Sequence, residues 1–451
     1  MGKITLAQAA AWCGGWVDPK YADTVFLGAN NDSRKIQPGQ LFLALQGLRD
    51  GHDFIPMAME KGAAAVLCTH CDENIPAIVV EDVRLALGQI AAGERQRIGM
   101  KVVAVTGSVG KSTTKEMIAA VLSTGYKVAK TPVNHNNDIG MPMAVLSMPE
   151  DTEVAVREMG MNHFREIAYL ANIGRPDVAV IINIGTMHIE HLGSREGILK
   201  AKLEILEGMT SEGKLLLYGN DDHLWSVRKD LPINPAYFGT DVERCTILGQ
   251  NVVLGESVEF EAVCEDKTVP IHLNLEGGHY VSDALAAVSV GLTMHISPEK
   301  IAQALREFQN MEGRQEILEI KGYTVIKDCY NAGPESMAAA LNVLGNRAGR
   351  KIAVLGDMLE LGPCAPAEHF RIGGIAAVKA DVVLAYGPNG SEVVKGALAG
   401  GMGETLAQTF LDRGELVAAL RKIARKGDVM LFKGSHGMHM ELALDQFLKD
   451  E

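Results

Sequence analysis

The apolar positions change texture twice along the chain, and the changes mark three regions. Up to residue 83, short apolar runs alternate with loops, as in DSRKIQPGQLFLALQGLRDGHDFI. The opening MGKITLAQAAAWCGGW carries one Lys, and Gln8 interrupts its apolar stretch. That predicts a strand and helix of a folded unit rather than an export signal. LALGQIAAGERQRIG then reads as a connecting helix.

From 101 to about 310, the Val/Ile/Leu runs of KVVAVTG, EVAVREMG, DVAVIINIG and GKLLLYGNDD alternate with helical patterns. Runs of this kind predict a parallel sheet covered on both faces. A β-rich stretch follows, CTILGQNVVLGESVEFEAVCEDKTVPIHLNL, with turns expected at Gly249-Gln250-Asn251 and Glu265-Asp266-Lys267. After Gly313 the alternation restarts with YTVIKDCYNAG, KIAVLGDMLELG, DVVLAYGPNG and DVMLFKGSHG. Each strand runs into Gly, Asp or Asn, and open α/β sheets bind ligands beyond such ends. The two loop-rich edges are therefore expected to face one another. The expected fold class is α/β in three domains: a small α/β unit over 1–83, a central P-loop parallel-sheet unit over 84–312, and a Rossmann-like unit over 313–451.

Composition narrows the function classes. A chain of 451 residues is too long for one core, which agrees with several domains. The net charge of −13 and the absence of any Lys/Arg run argue against a nucleic-acid surface. Anionic ligands would need cations placed locally, beside glycines. The odd, scattered cysteines (Cys13, Cys68, Cys71, Cys245, Cys264, Cys329 and Cys364) are no disulfide framework and fit a reducing cytoplasm. Cys68 and Cys71 form a C-x-x-C without a second half-site, so they read as the end of a buried strand rather than a zinc site. No apolar run approaches the ~20 residues of a membrane span.

The clearest chemistry lies in VVAVTGSVGKSTTKEMIAAVL, residues 102–122. A strand meets Gly107, Ser108, Val109 and Gly110, then Lys111, Ser112 and Thr113 open a helix. Backbone N–H groups at a helix N-terminus suit phosphate oxygens, Lys111 suits the terminal phosphates, and Ser112 or Thr113 suits Mg²⁺. The glycines stand closer than in the common G-x-x-x-x-G-K-[ST] loop. Glu158, Asn183 and His188 fall at further strand ends, where a carboxylate and an imidazole are candidate metal ligands or simple turn-formers. Lys202 sits in a helical pattern that reads as a snorkelling surface lysine. Asp328, Tyr330 and Asn331 form a strand-end loop, as do Asp357 with Glu360 and Lys433 with Ser435; plain turns explain each about as well. Ser33 and Arg34 precede a Pro-Gly turn, with Asp50 and His52 following. This suits an anion such as a diphosphate, or an exposed turn.

Taken together, DSRKIQPGQLFLALQG, TGSVGKSTTKEM, NHNNDIGMP, INIGTMHIEHLGS, KAKLEI, GGHYVSDALAA, DCYNAGPESMAAAL, LGDMLELG and KGSHGM resemble the Mur ligase family, in the branch that adds a dipeptide. Short G-x-x-G-K-[ST] loops are the rule there. The resemblance implies a cytoplasmic, monomeric ligase with no nucleic-acid partner. It would join UDP-N-acetylmuramoyl-tripeptide to D-alanyl-D-alanine, using ATP and two Mg²⁺ ions. It implies that Gly107 to Thr113 hold the phosphates, that Ser112 and Glu158 share one Mg²⁺, and that His188 serves the second. Lys202 would carry a carbamate acting as a further metal ligand. Ser33 and Arg34 would meet the uridine diphosphate in the first domain and Asn137 the muramoyl portion. Asp328 and Tyr330 would approach ATP from the third domain, Arg314 would guard its entry, and His279 would lie at the nucleotide. Departures are Tyr280 and Asp283 in place of asparagines, Gly333 for Asn, and His436 and His439 where Arg and Lys are usual. The last two predict weaker or more pH-dependent substrate binding.

Overall fold

The computed structural model describes residues 3–132 and 135–449. Lys101–Thr106, a β-branched run buried beyond its first residue, lies inside a nine-stranded sheet. Val154–Glu158 and Val178–Ile181 flank it in parallel, so their C-terminal ends share one edge. Lys214–Tyr218, Ala236–Gly239 and the start of Ile247–Leu254 continue the parallel order. Val258–Cys264 and Lys267–Leu273 then extend the sheet in antiparallel fashion.

One expected turn is absent. Gly249-Gln250-Asn251 lies within strand Ile247–Leu254, whose register against its neighbour shifts between Gln250 and Val253. Val252, Val253 and Leu254 have strong strand preference and carry the pairing onward, so the polar triplet is absorbed as an irregularity. The chain reverses instead at Gly255, whose N–H donates to Ser257 O at 2.9 Å. At the second expected turn Cys264 pairs with Lys267, and Glu265 takes φ 53°.

The N-terminal sheet has four short parallel strands between Ala29 and Val79. Beside it, Ile4–Thr5 pairs with Val25–Phe26, and helix Leu6–Cys13 is capped by Thr5 and closed by Gly14 at φ 66°. The six-stranded C-terminal sheet is parallel except for the edge strand Glu316–Ile320. No helix among the described residues is long and apolar enough to cross a membrane.

The cores are distributed unequally. One apolar cluster runs from Ile4, Leu43 and Leu67 through Leu87 and Ile90 of helix Val83–Ile98 into Val102, Ala104 and Leu217. The opposite face of the central sheet packs Val103 and Val105 against helices Lys111–Leu122 and His279–Thr293. The C-terminal sheet keeps two clusters of its own. Polar contacts dominate its junction with the central sheet: Arg347 Nε donates to Glu276 Oε2 at 2.8 Å, and Thr186 N to Glu335 Oε1 at 3.0 Å.

Candidate active site

Strand Lys101–Thr106 delivers the chain to Gly107, where a Cβ would lie 2.3 Å from Ile182. Gly110 stands at φ 83° and opens helix Lys111–Leu122, a conformation that favours glycine. The short loop is tied down from outside. Asn183 Oδ1 accepts from Ser108 N at 2.8 Å and Val109 N at 3.0 Å, and its Nδ2 donates to Val109 O at 3.0 Å. The Asn183 side chain thus holds the loop through three bonds, and its main-chain carbonyl accepts from Ser108 N at 3.3 Å. Lys111 Nζ lies back across the loop, donating to Gly107 O at 2.8 Å and Ser108 O at 3.1 Å. Burial lowers its pKa, against the pull of Glu158 and with a push from Arg314.

Glu158 ends the neighbouring strand. Its Oε2 accepts from Ser112 Oγ at 2.7 Å and its Oε1 from Asn136 Nδ2 at 2.8 Å. Arg314 reaches over from the C-terminal side and donates to the same Ser112 Oγ at 2.9 Å, its guanidinium carbon 4.0 Å from the Tyr330 ring centre. Asp328 Oδ2 accepts from the buried Lys433 Nζ at 2.6 Å, and its Oδ1 accepts from Gln315 N at 3.3 Å. His188 takes φ 64°, and its Nδ1 lies 2.7 Å from Glu360 Oε2 across the junction. These elements enclose a cleft of about 480 Å³ lined from both sheets. That suits a small-molecule ligand of nucleotide size.

The cleft gathers most of the expected residues: Ser108 to Thr113, Asn137, Glu158, His188, His279, Arg314, Asp328 and Tyr330. Asn137 Oδ1 also accepts from Gly140 N at 2.8 Å, fixing the turn into helix Gly140–Leu146; Asn134 of the same motif lies outside the described residues. His279 begins its helix in the cleft, and burial pushes its pKa down to about 4 despite the opposing effect of Asp328. Ser33 and Arg34 do not line the cleft: Ser33 is buried against Met57 Sδ at 3.3 Å, and Arg34 clasps Asp32 at 2.9 Å. His436 is exposed, with its ring 6.2 Å from that of Tyr330.

Lys202 overturns the surface reading. It is 2 % exposed, because helix Arg195–Leu203 buries Ile198, Leu199, Ala201 and Lys202 together. Burial first, and then Lys111, hold its pKa well below that of an ordinary lysine. Among the described residues no carboxylate lies within ion-pair reach of it. Gly333 has a steric account, since a Cβ there would meet Met187 Sδ at 2.2 Å. Sequence reasoning missed Asn136, Gln315 and Glu335; the first adjoins Asn137 and was the most accessible to it.

Comparison with known proteins shows the family. Residues 27–98 match the Mur ligase family catalytic domain, 105–291 the Mur ligase middle domain, and 313–436 the Mur ligase glutamate ligase domain. The UDP-N-acetylmuramoyl-tripeptide–D-alanyl-D-alanine ligase of Bacillus subtilis is 39% identical over 433 residues, covering 94% of this chain and 93% of that one. The crystal structure of MurF from Acinetobacter baumannii superposes with a TM-score of 0.92 at 32% identity, over 100% of both chains. MurF ligase from Thermotoga maritima, solved in complex with ADP, gives a TM-score of 0.83 at 29% identity, covering 93% and 96%.

Proposed function

This chain belongs to the Mur ligase family, and on that premise we propose that it joins D-alanyl-D-alanine to UDP-N-acetylmuramoyl-tripeptide with cleavage of ATP to ADP and phosphate, in peptidoglycan precursor assembly. The observation that carries this reading is a single cleft in which the Lys111 loop, the Ser112–Glu158 pair and Arg314 converge from two sheets.

An amine does not displace oxide from a carboxylate in water, so the carboxylate must first be activated. Its oxygen attacks the γ-phosphorus of ATP; the bond to the β-phosphate oxygen breaks, and ADP leaves. The acyl phosphate then accepts the dipeptide amine at carbon. The C–N bond forms, phosphate departs, and the amine proton passes to solvent. Both steps develop charge on oxygens, which fixed cations stabilise without reorganisation. Lys111 and the loop amides serve the phosphates, and Arg314 brings a permanent cation from the third region.

Ser112 and Glu158 are hard oxygen donors already in contact, which fits a magnesium ion; His188 and Lys202 are proposed for a second. Magnesium, when bound, neutralises phosphate charge. A buried lysine with lowered pKa keeps a nucleophilic neutral amine. Lys202 nitrogen can therefore add to CO₂, lose one proton and become an anionic carbamate beside Lys111. We assign Asp328, Tyr330 and His279 to ATP, Ser33 and Arg34 to the uridine diphosphate, and Asn137 to the muramoyl portion. The same reading assigns 1–83 to UDP-substrate binding, 84–312 to ATP and 313–451 to closure over it, in a cytoplasmic monomer. The acceptor's third residue, diaminopimelate or lysine, is left open. Phosphate release with each UDP-tripeptide, offered D-alanyl-D-alanine or single amino acids, tests the reading. Turnover only with single amino acids would overturn it.

A further inference from the structure

Asp283 is a buried carboxyl in the wall of the nucleotide cleft, and no cation lies within ion-pair distance of it among the described residues. Its Oδ1 accepts from Thr114 Oγ1 at 2.7 Å, and a Cβ on Gly110 would stand 2.8 Å from the same oxygen. It therefore sits directly behind the phosphate loop. Its Oδ2 takes no hydrogen bond from the described residues.

Among the described residues no surrounding cation is in direct contact with Asp283. On its own helix the buried Tyr280 phenol accepts from Asn310, and Tyr218 faces it from strand Lys214–Tyr218; both phenols have raised pKa values and are neutral. His279, also on that helix, is uncharged at neutral pH. From helix Lys111–Leu122, Lys111 is turned to Gly107 O and Ser108 O, and Lys115 to Thr131 O. Arg314 acts only at a distance, since it is bonded to Ser112 and laid over Tyr330. A polyanion arriving in front of the ionised carboxyl meets a negative charge that only the Thr114 bond and the more distant Arg314 offset.

We propose that Asp283 is a proton-linked nucleotide-positioning residue, which takes up a proton when ATP or ADP enters and holds the nucleotide in its neutral, hydrogen-bond-donating form. The inference rests on the cleft being the nucleotide site. Burial already raises this carboxyl to about 7 in the free protein, so the required proton is cheap near neutrality and scarce above it. A neutral carboxyl can donate from Oδ2 into the cleft, which a carboxylate cannot.

The test is calorimetry of ADP binding to the full chain, in pairs of buffers with different ionisation enthalpies, from pH 6 to 9. Expected are uptake of most of one proton per ADP at pH 8, little uptake at pH 6, and affinity falling about tenfold per pH unit above 7. Asp283→Asn should abolish the uptake and flatten the pH profile while circular dichroism stays unchanged. Thr114→Val removes the bond that favours the charged form and should move the break in affinity to higher pH. Binding without proton exchange in the unsubstituted chain overturns the inference and leaves the nucleotide reading intact. Uptake that persists in Asp283→Asn overturns it as well. No ADP binding at any pH overturns both.

Discussion

Where the first 83 residues meet the central sheet, Leu43 and Leu67 share one apolar cluster with Val102 and Leu217. Where the chain beyond 313 meets it, the contacts include Arg347 with Glu276, Glu360 with His188, Glu335 with Thr186 and Arg314 with Ser112. Water can replace the second set when the surfaces part, but it cannot replace the first without a large hydrophobic cost. The difference teaches where motion belongs. The N-terminal region is therefore expected to move as one body with the central sheet, and the C-terminal junction to be the one that opens.

The largest effect should come from the cleft that the polar junction closes. Lys111→Ala should lower phosphate release roughly 10³-fold with little change in melting temperature; full turnover would remove the loop from the mechanism. Next is the apolar junction. Leu87→Ala, at a fully buried position in the shared cluster, should cost about 2–5 kcal/mol in urea unfolding. The N-terminal and central regions should still unfold in one transition, and two separated transitions would contradict a shared body.

Arg347→Ala, which breaks the pair with Glu276, should leave unfolding within about 1 kcal/mol. It should raise the KM for ATP several-fold, because closure loses a contact present only when the sheets meet. An unchanged KM would move closure elsewhere.

The smallest effect is on pH-dependent stability. Asp283 holds its proton up to about 7 when folded and releases it near 3.8 otherwise, so its contribution falls as pH rises through that window. His279 is depressed to about 4 from 6.5, so its contribution rises as pH rises between those values. The two oppose each other in the parent chain. Melting temperatures of Asp283→Asn should therefore climb more steeply from pH 4.5 to 6.5 than those of the parent, and identical slopes would refute the pairing.

The phosphate loop was legible in the sequence because its parts are consecutive: strand, two glycines, lysine, hydroxyls and helix. Glu158 was legible for a related reason, since strand-end positions in a parallel sheet share an edge. Lys202 was misread because helical periodicity identifies a face without saying what covers it. Asn183 read only as a strand-end residue, yet its partners lie 74 and 75 residues away. The triplet at 249–251 looked like a turn until strand pairing absorbed it.

By itself the sequence determined where most of the strands and helices lie, where a glycine loop joins a strand to a helix, and that two sheet edges carry polar residues. These follow from local backbone preference and the period of apolar residues. Only the tertiary structure decided that Lys202 is buried, that Asp283 lies against Thr114 169 residues away, and that one junction is apolar and the other charged. Burial and charge state depend on what the rest of the chain places opposite a side chain, and no local pattern encodes that.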